Sequence, residues 1–529
     1  MLNTAKILGH PDNEQGVFQM LRQLLNLTAW TLCVLGIVSV ASAQPTDLVT
    51  THGRHFKRAG QTFRFVGVNI RGLCHYGTPS LPYANSGHVT QNLDAVQAMG
   101  AKVVRVFAAN RHYANADNIT RLTNVLNLME ARGLKAIVCL TDYYSTDFHP
   151  QGDDGFYSGG LLTPAWFNGG YLTNYKPWVG AVVNALKNHN AVFAWQIGNE
   201  LTAYTPPGTT SPYIIPFTQD IAAYIKSIDP WHMVSTGYLS AWHILQADTA
   251  AARALYQNPN IDFFSYHTYN GDDDLRSWTV HAGVEKPFVV DEFGWNTGPS
   301  RAASLLADLN KWYDTRLAAG VMQWGFQAQA TDIGDGDNAV GMDPYAHSDY
   351  AALYNIYQTR AAALAPQPLP SLAPPAGTNA ALGAPWQTSS NFSGSFAGDK
   401  ALDGIVSAAS KWTSANAAPP QWLAVDLGAV RSINGYVVRM AADATEDAHY
   451  DFPAYQIQTG PSFSGPWTTQ FTVSNPAQYG VVRSVHSMPV AARYVRLLVT
   501  NPGIDNYARL PEFEVYAGPN AGVGDWALY

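Results

Sequence analysis

The sequence predicts an α/β architecture, a (β/α)8 TIM barrel, followed by a smaller all-β antiparallel sandwich. Eight short apolar runs rich in β-branched and aromatic residues alternate with helical patterns over the first two thirds of the chain, which is typical of parallel β/α units. After a segment rich in Pro and Ala, the pattern changes to short alternating runs separated by turn residues, which indicates antiparallel strands. The 529 residues suffice for a barrel of about 250 residues and one further module.

Composition narrows the classes of protein that the chain can represent. Apolar residues make up 47% of the chain and charged ones 13%, which argues against extended disorder. The net charge of −8 without a basic block disfavours nucleic-acid binding. Cys74 follows one predicted strand and Cys139 lies inside another, so we expect two buried free thiols, with a disulfide between them as the alternative. We expect a monomer that needs no cofactor for catalysis.

The N-terminal region, residues 1–43, is predicted to be a secretory signal peptide. An apolar run from Leu24 to Val40 precedes Ala41-Ser42-Ala43, a small-residue cleavage site. A start at Met20 would shorten the long preceding region, so we interpret Met20 as the physiological start. The apolar run is close to the minimum length for a membrane span, so a retained anchor is the alternative. We expect cleavage, a secreted product in the extracellular space or periplasm, and no stable membrane association.

The barrel is expected to span residues 51–364, with a small hairpin from His52 to Gln61 at its entrance. The eight predicted strands are Phe63 to Ile70, Lys102 to Ala108, Leu134 to Thr141, Phe193 to Glu200, Met233 to Tyr238, Ile261 to Tyr269, Phe288 to Phe293 and Val321 to Phe326. Helical patterns cover Gly87 to Met99, Asn118 to Ala131, Pro216 to Ile228 and Ser300 to Ala319. Gly100 follows the first of these helices as a C-cap.

The remainder of the chain divides into a linker and a second domain. Residues 365–384 are rich in Pro and Ala and carry no charge, which predicts a semi-extended linker. Residues 385–518 contain the alternating runs of the predicted sandwich.

Chemistry in a TIM barrel is expected at the C-terminal ends of the strands. Seven polar or aromatic residues fall there on five strands: Arg105, Asn199, Glu200, His267, Tyr269, Glu292 and Trp324. Cleavage of a glycosidic bond needs one carboxylic acid to protonate the leaving oxygen and a second carboxylate to attack the anomeric carbon. Glu200 and Glu292 suit these roles.

The neighbours of the two carboxylates suggest which one is the acid and which one attacks the anomeric carbon. If Arg105 and Tyr269 donate hydrogen bonds to Glu292, they lower its pKa and keep it ionised, and Glu200 is then the acid. Strand alternation points Asp291 away from the side chain of Glu292, which predicts a structural role for Asp291.

Two more of these residues have expected contacts with the sugar. Asn199 is placed to hydrogen-bond the 2-hydroxyl. Trp324 would form the apolar floor under the bound ring.

These motifs resemble glycoside hydrolase family 5 of clan A, the cellulase and β-mannanase family. The similar runs are VVRVF, WQIGNE, YHTY, DEFGW and the Trp of the eighth strand. The resemblance covers about Thr51 to Leu364 and implies a retaining double displacement, with Glu200 as acid/base and Glu292 as nucleophile. It also implies that Arg105, Asn199, His267, Tyr269 and Trp324 line the subsite of the cleaved sugar.

Two departures from the family pattern bear on the substrate. Leu201 stands where members commonly have Pro, and Asp142-Tyr143-Tyr144 stands where cellulases of the family often have His. Aromatic residues between the third and fourth strands, including Trp166, Tyr171 and Trp178, suggest an open cleft for a polymer. We slightly prefer a β-1,4-mannan backbone over a glucan.

The C-terminal region resembles the discoidin-like, coagulation factor 5/8 type C fold, which occurs in secreted hydrolases as carbohydrate-binding module family 32. The similar runs are KALDG, QWLAVDLG, RYVRLLV and PEFEVY. The resemblance implies a carbohydrate-binding domain with a structural Ca²⁺ near Asp403 and Glu512, two hard oxygen ligands. Trp412, His449 and Tyr450 are candidate residues for stacking on sugars.

The sequence as a whole predicts a secreted retaining endo-β-glycosidase whose partner is a β-linked polysaccharide. An endo-β-glucanase of cellulase type and a transglycosylase are the alternative enzymes. A catalytically inactive polysaccharide-binding protein is the alternative outside enzymology.

Overall fold

The computed structural model describes residues 44–74, 86–108, 113–143, 162–201, 213–240, 249–271, 280–328, 339–416, 418–474 and 480–518. The predicted signal peptide lies outside these ranges. None of the helices in these ranges combines the length and apolarity that crossing a bilayer requires.

A small antiparallel sheet closes one end of the barrel. Its strands are β1 (Val49–His52), β2 (His55–Arg58) and β3 (Gln61–Thr62). Phe56 from this sheet packs edge-on against Phe193 and Phe263, with ring centroids 4.9 and 5.3 Å apart. These rings lie at the N-terminal ends of the barrel strands and fill that end of the barrel.

Eight parallel strands form the barrel: β4 (Phe65–Asn69), β5 (Val103–Phe107), β6 (Lys135–Cys139), β7 (Val192–Gln196), β8 (Met233–Ser235), β9 (Phe264–Tyr269), β10 (Phe288–Gly294) and β11 (Gly320–Gln323). The order β8-β7-β6-β5-β4-β11-β10-β9 closes through a parallel bridge between Ser235 and Phe263. The predicted TIM barrel is therefore confirmed.

Helices surround the barrel: α1 (Ser86–Met99), α2 (Asn115–Glu130), α3 (Pro164–Phe167), α4 (Tyr175–Leu186), α5 (Ile214–Ile228), α6 (Thr249–Gln257), α7 (Arg301–Asn310) and α8 (Tyr350–Ala363). The helix predicted from Ser300 to Ala319 is shorter, because a π-helical turn (Lys311–Thr315) follows α7. Trp166, Tyr171 and Trp178 are buried in the core between barrel and helices. The prediction that they line an open cleft is wrong.

The second domain is an antiparallel sandwich built on two long strands. Its strands are β12 (Thr378–Asn379), β13 (Trp386–Thr388), β14 (Trp412–Thr413), β15 (Gln421–Arg439), β16 (Ala454–Gly460), β17 (Thr468–Ser474), β18 (Val481–Asn501), β19 (Arg509–Leu510) and β20 (Glu512–Ala517). β15 pairs with β18 over most of its length, and register shifts at bulges let both strands bend. The predicted sandwich is confirmed.

The segment between the two domains runs along the sheet of β1–β3. The amide of Thr62 donates to the carbonyl of Gln367 at 2.9 Å, and the ring of His52 contacts the carbonyl oxygen of Pro370 at 2.6 Å. The barrel and the sandwich belong to one compact unit. Arg54, in the turn between β1 and β2, reaches the sandwich and pairs with Asp443 at 2.5 Å.

Candidate active site

The chain after β7 carries Glu200 in a strained backbone conformation. Glu200 has a φ of 49°, in the left-handed region that non-glycine residues rarely adopt. Its amide donates to the carbonyl of Gly237, after β8, at 2.8 Å. Gly237 has a φ of 70°, and a Cβ there would lie 1.9 Å from the carbonyl oxygen of Gly198. This close approach of two backbone segments holds Glu200 in position, and such strain is often found at functional sites.

A β-bulge in β10 carries Glu292. In the pairing with β9, Val290 lies opposite Tyr266 and Glu292 lies opposite His267, so Asp291 is the extra residue between them. A bulge interrupts the alternation of side chains along a strand. Asp291 and Glu292 therefore both contact His267, and the prediction that Asp291 points away from this side is wrong.

Arg105 is the buried centre of the hydrogen bonds beneath the site. Its side chain is fully buried. It donates to Glu292 Oε2 at 2.9 Å, to Asn199 Oδ1 at 2.7 Å and to Gln196 Oε1 at 2.6 Å. A buried guanidinium that donates to acceptors on several strands fixes the relative positions of those strands. If an acceptor moved away, a buried N–H would be left unpaired, at a large desolvation cost.

Asn199 is held on both sides of its amide. Its oxygen accepts from Arg105, and its Nδ2 donates to Asp142 Oδ1 at 3.0 Å. Asp142 belongs to the segment Asp142-Tyr143-Tyr144, one of the two places where the chain departs from the family pattern, and its side chain also lies 4.0 Å from Arg71. Asp142 therefore fixes the orientation of the amide that we expect to contact the sugar.

Glu292 accepts hydrogen bonds on both carboxylate oxygens. Oε2 accepts from Arg105, and Oε1 accepts from the hydroxyl of Tyr269 at 2.5 Å. The two expected donors are thus in place. Burial nevertheless raises the pKa of Glu292 to about 7; His267, Arg105 and Tyr269 lower it, while the charge of Glu200 raises it. The direction is opposite to the sequence expectation because the sequence does not show how completely the carboxyl is desolvated.

Because the charge of Glu200 raises the pKa of Glu292, we infer that the pair keeps one proton near neutral pH. Two close carboxyls titrate as a pair. Both oxygens of Glu292 already face donors, so a proton on either would displace one of them. We therefore assign the shared proton to Glu200, which leaves Glu292 ionised.

His267 lies between the carboxylates. Its Nδ1 is 2.7 Å from Glu200 Oε1 and 3.5 Å from Glu292 Oε2, and its Nε2 is 3.4 Å from Asp291 Oδ1. Burial lowers the pKa of His267, but the charges of Glu292, Asp291 and Glu200 outweigh this and raise it above its usual value. His267 is therefore interpreted as an imidazolium.

Oxygen and nitrogen atoms of Glu200, His267 and Glu292 lie within 4.8 Å of one another, close enough to share a metal ion. Glu292 is already bonded to Arg105 and Tyr269, and a protonated His267 has no lone pair to offer a metal. We interpret the three groups as an acid–base set.

The predicted residues meet at a cleft of about 390 Å³. Asn199, Glu200, Tyr269, Glu292 and Trp324 line it, whereas Arg105 and His267 lie beneath and hold the carboxylates. Lining residues that sequence reasoning missed are Arg71, Leu239, Asn270, Asn296, Ala339 and Val340, whereas Asp142 was noted only as part of a departure from the family pattern. Arg71 and Asp142 follow the first and third strands, so the strand-end rule could have found them.

In the sandwich, Asp403 and Glu512 lie on either side of one turn. Glu512 Oε2 accepts from the amide of Gly404 at 3.1 Å, and Asp403 Oδ1 accepts from the amide of Ile405 at 2.8 Å. Burial raises the pKa of Glu512 to about 8, and the charge of Asp403 adds to the effect. Among the described residues no donor reaches Glu512 Oε1.

The three stacking candidates of the sandwich differ in exposure. Trp412 is fully buried, and its indole N–H donates to the carbonyl of Ser390 at 3.0 Å. The prediction that Trp412 stacks on sugars is wrong. His449 is exposed, and the ring of Tyr450 is covered by the guanidinium of Arg509, 4.2 Å from its centroid.

Comparisons with known proteins fit this geometry. The model of the family described as cellulase, glycosyl hydrolase family 5, matches residues 57–337, and the F5/8 type C domain model matches residues 386–513. Mannan endo-1,4-β-mannosidase F of Aspergillus fumigatus is 26% identical over 292 residues, which are 47% of this chain and 64% of that protein. The chain thus spans just under two thirds of that relative's length.

Two further proteins are similar to this chain. Mannan endo-1,4-β-mannosidase A of Hypocrea jecorina is 26% identical over 322 residues, covering 53% of this chain and 70% of that protein. The crystal structure of an endo-1,4-β-mannanase from Rhizomucor miehei covers 60% of this chain and 99% of its own, with 19% identity and a TM-score of 0.48. The family 5 model alone matches more than half of this sequence. The chain therefore belongs to glycosyl hydrolase family 5, the cellulase family, and carries a C-terminal region that matches the F5/8 type C domain.

Proposed function

We propose that this protein is a retaining endo-β-glycosidase that hydrolyses β-1,4-mannan. The observation that carries the proposal is the pair of glutamates in the cleft. One carboxylate oxygen of Glu200 lies within 4.8 Å of one carboxylate oxygen of Glu292. A separation of about 5 Å suits direct attack by one carboxylate, whereas inverting enzymes need roughly 6.5–9.5 Å to admit a water molecule.

In the first step Glu292 attacks the anomeric carbon while Glu200 gives its proton to the leaving oxygen. The bond between Glu292 and the sugar forms as the glycosidic bond breaks, and the leaving chain departs with the proton. Arg105 and Tyr269 keep Glu292 ionised and oriented, because both donate to its oxygens. Asn199 donates its amide to the sugar's 2-hydroxyl, a contact that strengthens in the oxocarbenium-like transition state.

In the second step Glu200, now a carboxylate, takes a proton from water. The resulting hydroxide attacks the anomeric carbon and displaces Glu292, so the configuration of the sugar is retained after two inversions. Trp324 lies against the sugar as an apolar wall; it is 7% exposed and packs edge-on against Phe107. If a sugar hydroxyl replaces water in this step, the outcome is transglycosylation.

Mannan is the proposed substrate because these two relatives are named mannan endo-1,4-β-mannosidases. The segment Asp142-Tyr143-Tyr144, which stands where cellulases of the family often have His, supports a substrate other than cellulose. The test is release of reducing ends from galactomannan, glucomannan, carboxymethylcellulose and β-1,3-glucan in parallel. Cleavage of glucans alone would contradict the mannan assignment and favour an endo-β-glucanase.

Variants of the two glutamates test the mechanism. Glu200→Ala and Glu292→Ala are each expected to lower turnover of polysaccharide by about 10²–10⁴-fold or more. Glu130→Gln, which changes an exposed carboxylate outside the cleft, is the matched control and should keep full activity. NMR of the first-formed product should show the β-anomer. Substantial activity in either alanine variant would refute the roles, and binding of polysaccharide without cleavage would favour an inactive binding protein.

We also propose that the protein is secreted as a monomer after cleavage near Ala43 and that the sandwich binds carbohydrate. The match to the F5/8 type C domain and the apolar run before Ala41-Ser42-Ala43 in the sequence support this. N-terminal sequencing of the secreted protein, light scattering and affinity electrophoresis on polysaccharide gels test the three statements. A retained leader, a dimer or unaltered migration would contradict them in turn.

A structural Ca²⁺ in the sandwich is proposed at Asp403 and Glu512. The buried Glu512 Oε1 without a donor and the raised pKa of Glu512 fit a cation, because a nearby positive charge would offset the desolvation of the carboxylate. The ion would supply charge neutralisation at a turn. Calorimetric titration of the chelated protein with Ca²⁺ should show binding that Asp403→Asn weakens; equal affinity in both proteins would contradict the site.

A further inference from the structure

The bulged residue Asp291 has a place in the site that neither the motif nor strand alternation predicts. Its side chain is fully buried. It lies directly before Glu292, and the bulge turns both residues toward the barrel interior beneath the cleft. Burial of an unpaired carboxylate at this depth would cost much free energy, so the groups that contact Asp291 indicate its role.

The partners of Asp291 come from several strands. Oδ2 accepts from Gln196 Nε2 at 2.6 Å and from the hydroxyl of Ser265 at 2.5 Å, and Oδ1 accepts from the amide of Tyr266 at 3.1 Å. His267 Nε2 lies 3.4 Å from Oδ1. Three neutral donors thus fix the carboxylate, and His267 is a cationic group in contact with it.

The charges around His267 can be counted element by element. Glu200 follows β7, Asp291 and Glu292 lie on β10, and Arg105 on β5 donates to Glu292. Arg105 is always positive. With Glu292 and Asp291 ionised and Glu200 protonated, the buried group is neutral only if His267 carries a proton. Removal of the Asp291 charge would leave one excess positive charge, which a buried site disfavours.

We propose that Asp291 is a positioning residue for catalysis, which keeps His267 charged so that His267 stabilises the negative charge that develops on Glu200. The inference rests on the proposed acid/base role of Glu200. His267 Nδ1 lies 2.7 Å from Glu200 Oε1, the distance of a charge-assisted hydrogen bond. As Glu200 gives up its proton to the leaving oxygen, the imidazolium donates to the carboxylate that forms.

Loss of this charge has a specific chemical consequence. A neutral imidazole cannot stabilise the carboxylate of Glu200 to the same extent, so Glu200 becomes a weaker acid. Substrates with poor leaving groups depend on the acid, whereas an activated aryl glycoside departs with little protonation. A change that acts through Glu200 therefore affects the two substrate types unequally, and a general loss of structure affects them alike.

The first test is the titration of His267 by NMR in the full chain, with labelled histidine and assignment by His267→Gln. In the native protein His267 should remain protonated above pH 6.5. In Asp291→Asn its titration should move down by about one unit or more, a tenfold change in proton affinity. Native His267 that is neutral at pH 6 would overturn the proposal without any variant at Asp291, and an unmoved titration in a folded Asp291→Asn protein would do the same.

The second test compares kcat/KM for mannooligosaccharide and for 2,4-dinitrophenyl β-mannoside. Asp291→Asn should lower kcat/KM for the oligosaccharide by about 10–10²-fold, part of the effect of a full acid, with a change below threefold for the aryl glycoside. Ser265→Ala is the matched control, because it removes a hydrogen bond to Asp291 and keeps the charge. Equal losses on both substrates in Asp291→Asn would overturn the proposal. If the native protein cleaves no mannoside, the proposed function fails, while the titration still decides the charge of His267.

Discussion

Tyr269→Phe isolates the contribution of one hydrogen bond to the nucleophile. The hydroxyl donates to Glu292 Oε1 at 2.5 Å, and the variant keeps the ring while removing only this donor. A hydrogen bond to a charged group contributes about 1.5–3 kcal/mol, which corresponds to a decrease of about 10–150-fold in kcat/KM at 1.4 kcal/mol per factor of ten. The loss should be in the attack on the sugar, because Arg105 still holds the other oxygen.

The pH dependence of kcat/KM shows in which direction Tyr269→Phe changes the pKa of Glu292. The nucleophile must be ionised, so activity rises with pH as Glu292 loses its proton. Removal of a donor destabilises the ionised form and raises the pKa, so the acid limb of the kcat/KM profile should move to higher pH. Tyr516→Phe is the matched control, since Tyr516 donates to Glu514 in the sandwich at 2.6 Å. An acid limb that stays in place, or kcat/KM within twofold of the native value, would refute the reasoning.

Three further predictions follow from particular contacts. Gly237→Ala should lower the stability by more than about 1–3 kcal/mol and remove most of the activity, because its Cβ would lie 1.9 Å from Gly198 O. Gly133→Ala is the control, because Gly133 has a φ of 68° and no atom within 4 Å of the added Cβ, so this variant introduces the conformational strain alone. Equal melting temperatures of the two variants would contradict the prediction. Activity should also fall at high pH, because Glu200 then loses the proton that it gives to the leaving oxygen; a kcat/KM profile without an alkaline limb would contradict this. Arg54→Ala should destabilise the docked sandwich by about 1–3 kcal/mol, because it removes one of two arginines that pair with the buried Asp443; calorimetry should show the two domains melting further apart, and an unchanged trace would contradict it.

The barrel and its reactive residues were predictable because both depend on short-range patterns. Buried strands flanked by helical runs define eight units, and polar residues at the strand ends fall on one rim by the geometry of the barrel alone. The seven predicted residues all lie at or directly beneath the cleft. Cys74 and Cys139 are buried free thiols, as expected.

Features that depend on register, backbone strain or burial were not predictable. The bulge at Asp291 adds one residue to β10, and no local sequence feature separates it from a regular strand. The left-handed backbone of Glu200 is imposed by contact with Gly237, which lies on the next strand unit. Aromatic residues such as Trp178 and Trp412 have the same composition whether they stack on sugars or fill a core, and only packing decides between the two.

The cleft and one of the contacts with the sandwich lie at opposite ends of the barrel, and this arrangement limits what the sandwich can contribute to catalysis. The cleft lies at the C-terminal ends of the strands, and all its described lining residues belong to the barrel. The sandwich pairs with Arg54, in the sheet that closes the N-terminal end, and Arg483 pairs with Glu285, just before β10, at 2.5 Å. Among the described residues the sandwich therefore contributes no side chain to the cleft. Its proposed binding of carbohydrate would act by keeping the barrel close to the polymer, which raises the effective concentration of cleavable bonds without adding a contact to the sugar being cleaved.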